Sequence, residues 1–259
     1  MKQTILSTQQ SALLEELIVK YGQIVTSEQI YAQGKAVWDQ KVAKNVITRL
    51  TRNGWLIRVK RGLYAISDLS NRGFLSLAPY VVANLLVRDS YVSFESALAY
   101  HGMFDQLTNK TISISQVQYK AVQLQSVEYS FVKVLDKWFF GWQEVSIDNK
   151  AVRMATAEKA LIDMIQFHKS KYTVDLVVEK LSQYKDSLDL QKMTEYLGKM
   201  SLTTIKTFGF LLDLLGIDSG DLYNQVKLKG THLMLSGDAK FNAKWRLYYD
   251  AYFDKYRSA

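Results

Sequence analysis

The chain contains no cysteine, a single proline and three histidines, and each shortage removes a class of function. Without cysteine there are no disulfides, no thiolate nucleophile and no cysteine-held zinc, which excludes zinc fingers. His101, His168 and His232 never fall at the i,i+4 spacing that sets two imidazoles on one helical face, so no metal site is expected. Pro79 alone leaves no proline-rich linker, and neither internal repeats nor low-complexity tracts occur. Neither a G-x-G-x-x-G nor a P-loop pattern is present, so no nucleotide cofactor is expected, and none of another kind is indicated. No run approaches the roughly 18 uncharged apolar residues of a membrane span. The N-terminus also lacks the basic-then-apolar pattern of a secretion signal. The expectation is a cytoplasmic protein with no membrane partner.

Acidic residues are scarce at one end only. Residues 1–75 hold 11 Lys+Arg against 5 Asp+Glu, a net of +6, whereas residues 76–259 hold 22 against 20, a net of +2. The overall +8 therefore belongs to a small N-terminal module. Cations clustered in this way attract phosphate through counterion release, while the same charge spread evenly would mainly aid solubility. At 48% hydrophobic residues, the 259-residue chain can build one large core or two ordinary ones.

Local signals in the basic module follow a definite order. Leu13, Leu14, Leu17 and Ile18 recur at helical spacing and predict a helix over 8–20, stopped by Tyr21-Gly22. Thr26 and Gln29 form a capping box that opens a short helix ending at Gly34. Asp39 caps a third helix that runs to Arg52 and is closed by Asn53-Gly54. On a helical wheel Val42, Ala43, Val46, Ile47 and Leu50 share one arc. Lys41, Lys44, Asn45, Thr48, Arg49, Thr51 and Arg52 fill the other. No acid follows Asp39 on the polar arc, so its cations are free for phosphates or bases. Residues 55–59 and 63–66 are strand-like, joined by Lys60-Arg61-Gly62 as a tight turn. The hairpin would be a wing carrying Arg58, Lys60 and Arg61, with Trp55, Ile57 and Val59 packed on the helices.

Capped helix, turn, basic helix and basic hairpin is the order of a winged helix-turn-helix, which makes duplex DNA the leading partner. The candidate DNA-binding residues are Lys41, Lys44, Asn45, Thr48, Arg49, Arg52, Arg58, Lys60 and Arg61. Lys44, Asn45, Thr48 and Arg52 are expected to read the major groove while the wing grips backbone.

The polar stretch 67–73 is the expected boundary, giving a DNA-binding domain over 1–75 and a second domain over 76–259. Helices are predicted over 79–87, 94–101 (capped by Ser93), from Thr156 to about Phe167, and through most of 173–215 with breaks at 185–188 and 200–201. Strands are predicted over 111–115, 128–135, 145–154 and 231–235, while 245–252 suits either element. The fold class is α+β, a winged helix followed by a mixed α/β domain with a helical addition. Ser96, His101 and Asp105 are close in sequence, but a triad needs spatial arrangement that proximity does not supply, so no catalytic residue is assigned and no enzyme is expected. Tyr80, Tyr91, Tyr100, Tyr119 and Tyr129 could stack on single-stranded bases, yet their apolar settings favour core packing.

Four segments carry a family resemblance. They are Tyr91-Val92-Ser93-Phe94-Glu95-Ser96-Ala97-Leu98-Ala99-Tyr100-His101-Gly102, Ala155-Thr156-Ala157-Glu158-Lys159-Ala160-Leu161-Ile162-Asp163, Phe208-Gly209-Phe210-Leu211-Leu212-Asp213-Leu214-Leu215-Gly216, and Arg61-Gly62-Leu63-Tyr64 in the wing. Together, in their order along the chain, they resemble the AbiEi antitoxins of bacterial type IV toxin-antitoxin systems, first associated with abortive phage infection. The resemblance implies an N-terminal winged helix that represses its own operon. It also implies a C-terminal domain that neutralises a nucleotidyltransferase toxin without forming a stable complex with it. The residues themselves support only the DNA-binding half, where an operator that is an inverted repeat in the protein's own promoter is expected. A stand-alone transcription regulator with a sensing C-terminal domain is the alternative.

Overall fold

The computed structural model describes residues 5–67, 69–106, 109–227 and 229–257. Asp68, inside the polar stretch read as a boundary, lies outside the described residues. The chain divides into two compact units, Met1–Arg88 with Gln123–Val127, and Asp89–Val122 with Glu128–Ala259.

The first unit opens with α1 (Thr8–Tyr21), where Ser7 and Gln10 cap each other reciprocally and Gly22, at φ +78°, ends the helix. After β1 (Ile24–Thr26), the Thr26 and Gln29 side chains satisfy one another's backbone amides at 3.2 and 2.8 Å and start α2 (Ser27–Gly34). Asp39 Oδ1 accepts from the Val42 amide at 2.8 Å at the start of α3 (Gln40–Arg52). The hairpin consists of β2 (Leu56–Lys60) and β3 (Leu63–Ile66). Gly62 supplies the positive φ of +77° that the turn requires.

Strand β3 lies between β1 and β2, antiparallel to both, with Thr26 opposite Leu63 and Arg58 opposite Tyr64. These are the order and pairing of a winged helix-turn-helix. Strand β1 was not expected, because three residues are too few to display a period. One core holds the module together: Leu13, Leu17, Val25, Ile30, Val46, Ile47, Leu50, Trp55 and Ile66 are all buried in it. Each such side chain contributes about 1.5–3 kcal/mol on burial.

Beyond the wing the chain stays bound to this unit. The Gln23 side-chain Nε2 donates to the Ile66 carbonyl and to Ser76 Oγ, and the Gly73 backbone amide donates to the Gly54 carbonyl at 3.0 Å. Gln125 accepts from the Leu75 amide and donates to the Gly73 carbonyl. Helix α4 (Pro79–Leu86), with proline in its first turn, completes the unit.

The second unit is a mixed α/β structure. Its strands are β4 (Ser90–Val92), β5 (Lys110–Ser115), β7 (Val127–Lys133), β8 (Trp142–Ile147) and β9 (Lys150–Ala155), while β6 (Val122–Leu124) falls where the units divide. They run in the order β7-β5-β4-β9-β8, with β7/β5 and β4/β9 parallel and the other pairs antiparallel. The segment expected as one strand over 145–154 is part of a hairpin, turning at Asp148 and Asn149 with φ of +51° and +57°.

Helices α5 (Phe94–Tyr100), α6 (Ala157–Phe167), α7 (Lys171–Tyr184), α8 (Leu190–Leu197), α9 (Leu202–Leu214) and α10 (Gly220–Val226) complete its main body. A small sheet of β10 (His232–Leu233), β12 (Leu247–Tyr249) and β11 (Lys240–Asn242) follows. The expected single element over 245–252 is instead this short β12 followed by a 3-10 turn at Ala251–Tyr256.

Two acids organise the second unit, Asp163 fully buried and Asp213 half-buried. Asp163 on α6 pairs with Lys159 one turn earlier, both side chains fully buried, and accepts from Ser93 Oγ at 2.7 Å and from the Tyr91 hydroxyl at 3.2 Å. Lys159 Nζ also donates to the Tyr91 hydroxyl at 2.9 Å and sits 4.8 Å from the Phe140 ring centroid. Burial pushes Asp163 above and Lys159 below their ordinary values, and their mutual attraction opposes both shifts. Ser93 was expected to cap α5. Its side chain makes no cap bond because the hydroxyl is given to Asp163.

The other acid, Asp213 on α9, accepts from Trp245 Nε1 at 2.7 Å and pairs with Lys244. Trp245 packs directly on Gly209 of the same helix.

Candidate nucleic-acid interface

The sequence of α3 separates two faces, and packing assigns them. Ala43, Val46, Ile47 and Leu50 are buried, the last three in the core shared with α1, α2 and the sheet, which fixes the helix's rotation. Lys41, Lys44, Asn45, Thr48, Arg49 and Arg52 are then all left exposed. Among the described residues no ion pair engages any cation of α3 or of the wing. Unpaired cations on a fixed helical face produce a local positive field that neighbouring carboxylates do not cancel.

Within that face the side chains are not equivalent. The Thr48 hydroxyl donates back to the Lys44 carbonyl at 3.0 Å, turning its proton away from solvent. Val42 departs from expectation. Assigned by the wheel to the apolar arc, it is 40% exposed. It sits in the first turn of the helix.

On the hairpin, Trp55 and Val59 are buried and Ile57 is half-buried, leaving Arg58 and Arg61 exposed. Half-buried Lys60 directs its ammonium to the Leu86 carbonyl at 3.1 Å, the last residue of α4. A cation at a helix C-terminus satisfies a free carbonyl and complements the dipole. The wing strand is thereby tied to α4, a contact between residues 26 apart that no local signal announces.

Other possible sites are less convincing on the same criteria. Ser96 Oγ accepts from the Ile112 amide at 3.0 Å and His101 Nε2 contacts the Ala155 carbonyl at 2.8 Å, so each is engaged with the backbone of a strand. Among the described residues no group of three or more His, Asp or Glu side chains is disposed to hold a metal. No helix among them is long and apolar enough to cross a membrane. Of the tyrosines weighed as stacking platforms, Tyr91 and Tyr129 are buried, Tyr80 and Tyr119 are half-buried, and Tyr100 is 40% exposed.

Residues 13–67, from within α1 to just past β3, match the family model described as "Transcriptional regulator, AbiEi antitoxin". No curated protein matches the chain. Among solved structures, the crystal structure of the RV2827C protein from Mycobacterium tuberculosis is similar at a TM-score of 0.66, with 14% identity over 95% of this chain and 92% of that one. At that identity the likeness concerns the fold.

Proposed function

We propose, from the match of residues 13–67 to the family model described as "Transcriptional regulator, AbiEi antitoxin", that the protein is the antitoxin of a type IV toxin-antitoxin system and represses its own operon. The observation that carries the DNA-binding half is the set of unpaired, exposed cations on α3 and the wing, held in place by a buried opposite face. In this reading α3 enters the major groove, where Asn45 and Arg52 can make paired hydrogen bonds to adenine and guanine. Lys44 reads the groove beside them, Lys41 and Arg49 contact the flanking phosphates, and Arg58 and Arg61 hold adjacent backbone. One small winged helix covers too few base pairs for selectivity, so two copies occupy an inverted repeat in the protein's own promoter. The second unit, near neutral overall, neutralises a nucleotidyltransferase toxin without a lasting complex. That half rests on family likeness alone.

A titration of the full chain on DNA from upstream of its own gene, across a range of salt, tests the DNA-binding half. Affinity should fall steeply with salt, and Arg61→Ala should flatten the log-log slope by about 0.9, one phosphate contact. Lys60→Ala should leave the slope nearly unchanged, because that ammonium is committed to the Leu86 carbonyl. Binding indifferent to salt would contradict the proposal. Co-expression with the toxin tests the other half, where failure of growth rescue with repression intact would leave a stand-alone regulator.

A further inference from the structure

The exposure of Val42 is unexplained by packing and lies inside the proposed interface. Val42, Asn45, Arg49 and Arg52 follow one another at three-, four- and three-residue steps, the spacing of a single stripe along a helix, and all four are exposed. The stripe therefore begins with an apolar residue and continues with three that can donate hydrogen bonds. Its apolar member occupies the first turn of α3, the end at which a recognition helix meets base edges most directly. Its backbone amide is fixed by the bond to Asp39 at 2.8 Å. Being β-branched, it holds its two methyl groups in few rotamers, so little entropy is lost on contact.

The major groove offers one apolar group to such a residue. Each base pair displays donors and acceptors there, but only thymine adds a methyl, at C5. The surrounding cations Lys41, Lys44 and Arg49 draw a polyanion onto this face rather than an apolar protein surface. We propose that Val42 reads a thymine methyl in each operator half-site and is a specificity-determining residue of the interface. This rests on the DNA-binding reading above and adds a base identity to it.

The test uses the full chain and an operator obtained by selection from a random duplex pool, scanned by replacing each thymine in turn with deoxyuridine, which removes only the methyl. Wild-type protein should lose about fourfold in affinity at one thymine per half-site, the worth of one buried methyl. Val42→Ala should bind the unmodified operator correspondingly more weakly and show no further loss on deoxyuridine at that position. Alanine is a strong helix former at a position outside the core, so the variant should fold, as circular dichroism would verify. A selected operator with no methyl-sensitive thymine would overturn the assignment while leaving DNA binding in place. So would a deoxyuridine effect that persists undiminished in Val42→Ala. Selection that enriched no sequence would overturn the DNA-binding reading, and this inference with it.

Discussion

Replacing Gly209 by alanine should lower the thermal midpoint of the larger unit by roughly 6–12 °C, the shift expected for about 3 kcal/mol in a unit of this size. Helix propensity alone points the other way, since alanine in a helix interior is favoured over glycine by about 1 kcal/mol. Packing decides the sign. A Cβ built at Gly209 would fall within the Trp245 ring, on its Cη2, Cζ2 and Cζ3 atoms. Trp245 cannot swing aside. It is 1% exposed, its Nε1 is bound to Asp213, and Tyr223 meets it edge-on at 5.7 Å. Melting followed by circular dichroism and tryptophan fluorescence measures the effect, and a midpoint unchanged or raised would show that Trp245 does not sit where the structure puts it. Shrinking the ring with Trp245→Ala in the Gly209→Ala background should recover little stability, because a cavity then replaces the clash.

The second large effect belongs to the buried pair on α6. Asp163→Ala removes the only carboxylate beside Lys159 in that cluster and leaves an ammonium fully buried without a counter-charge, at a cost of about 3–5 kcal/mol. The space around Lys159 cannot relax to admit water easily. Gly141, at φ +76°, covers it so closely that an added Cβ would lie 2.9 Å from the lysine's Cγ and Cδ. Replacing both charges by apolar residues of similar volume, Lys159→Met with Asp163→Leu, should restore most of the loss, because the desolvation penalty goes with the charges. Urea denaturation of the single and double variants separates these outcomes. An Asp163→Ala variant as stable as wild type would mean the pair is not buried and ionised together.

These two clusters explain what the motifs of the second unit are for. Tyr91, Ser93, Lys159 and Asp163 come from two of the segments that carry the family resemblance, separated by about 70 positions and joined in one hydrogen-bonded group. Gly209 and Asp213, from a third, make room for and bind Trp245. In sequence they read as a capped helix and apolar helices, because local pattern reports a residue's neighbours along the chain and not its partner across the core. Ser93 shows the limit: its type and position suit a helix cap, and only the fold reveals that its hydroxyl belongs to Asp163.

Where partners are three or four residues apart the sequence is far more informative. The Thr26–Gln29 box, the Asp39 cap and the amphipathic α3 were legible with nearly correct bounds, since a cap and a helical face are set by local geometry. The wheel failed at Val42 because angular position alone does not say whether another element covers the first turn. It could not show the Lys60 contact either, because the Leu86 carbonyl lies on a helix that begins 19 residues later.

Whether the chain performs two separable functions can be measured in one paired assay. Lys44→Ala with Arg52→Ala alters two exposed side chains on α3 and should leave the fold intact, as circular dichroism would verify. Expressed from an unrelated promoter beside the toxin, with a reporter under the native promoter in the same cells, the folded double variant should lose repression and still rescue growth. Loss of rescue as complete as the loss of repression would tie neutralisation to DNA binding and contradict the two-function proposal.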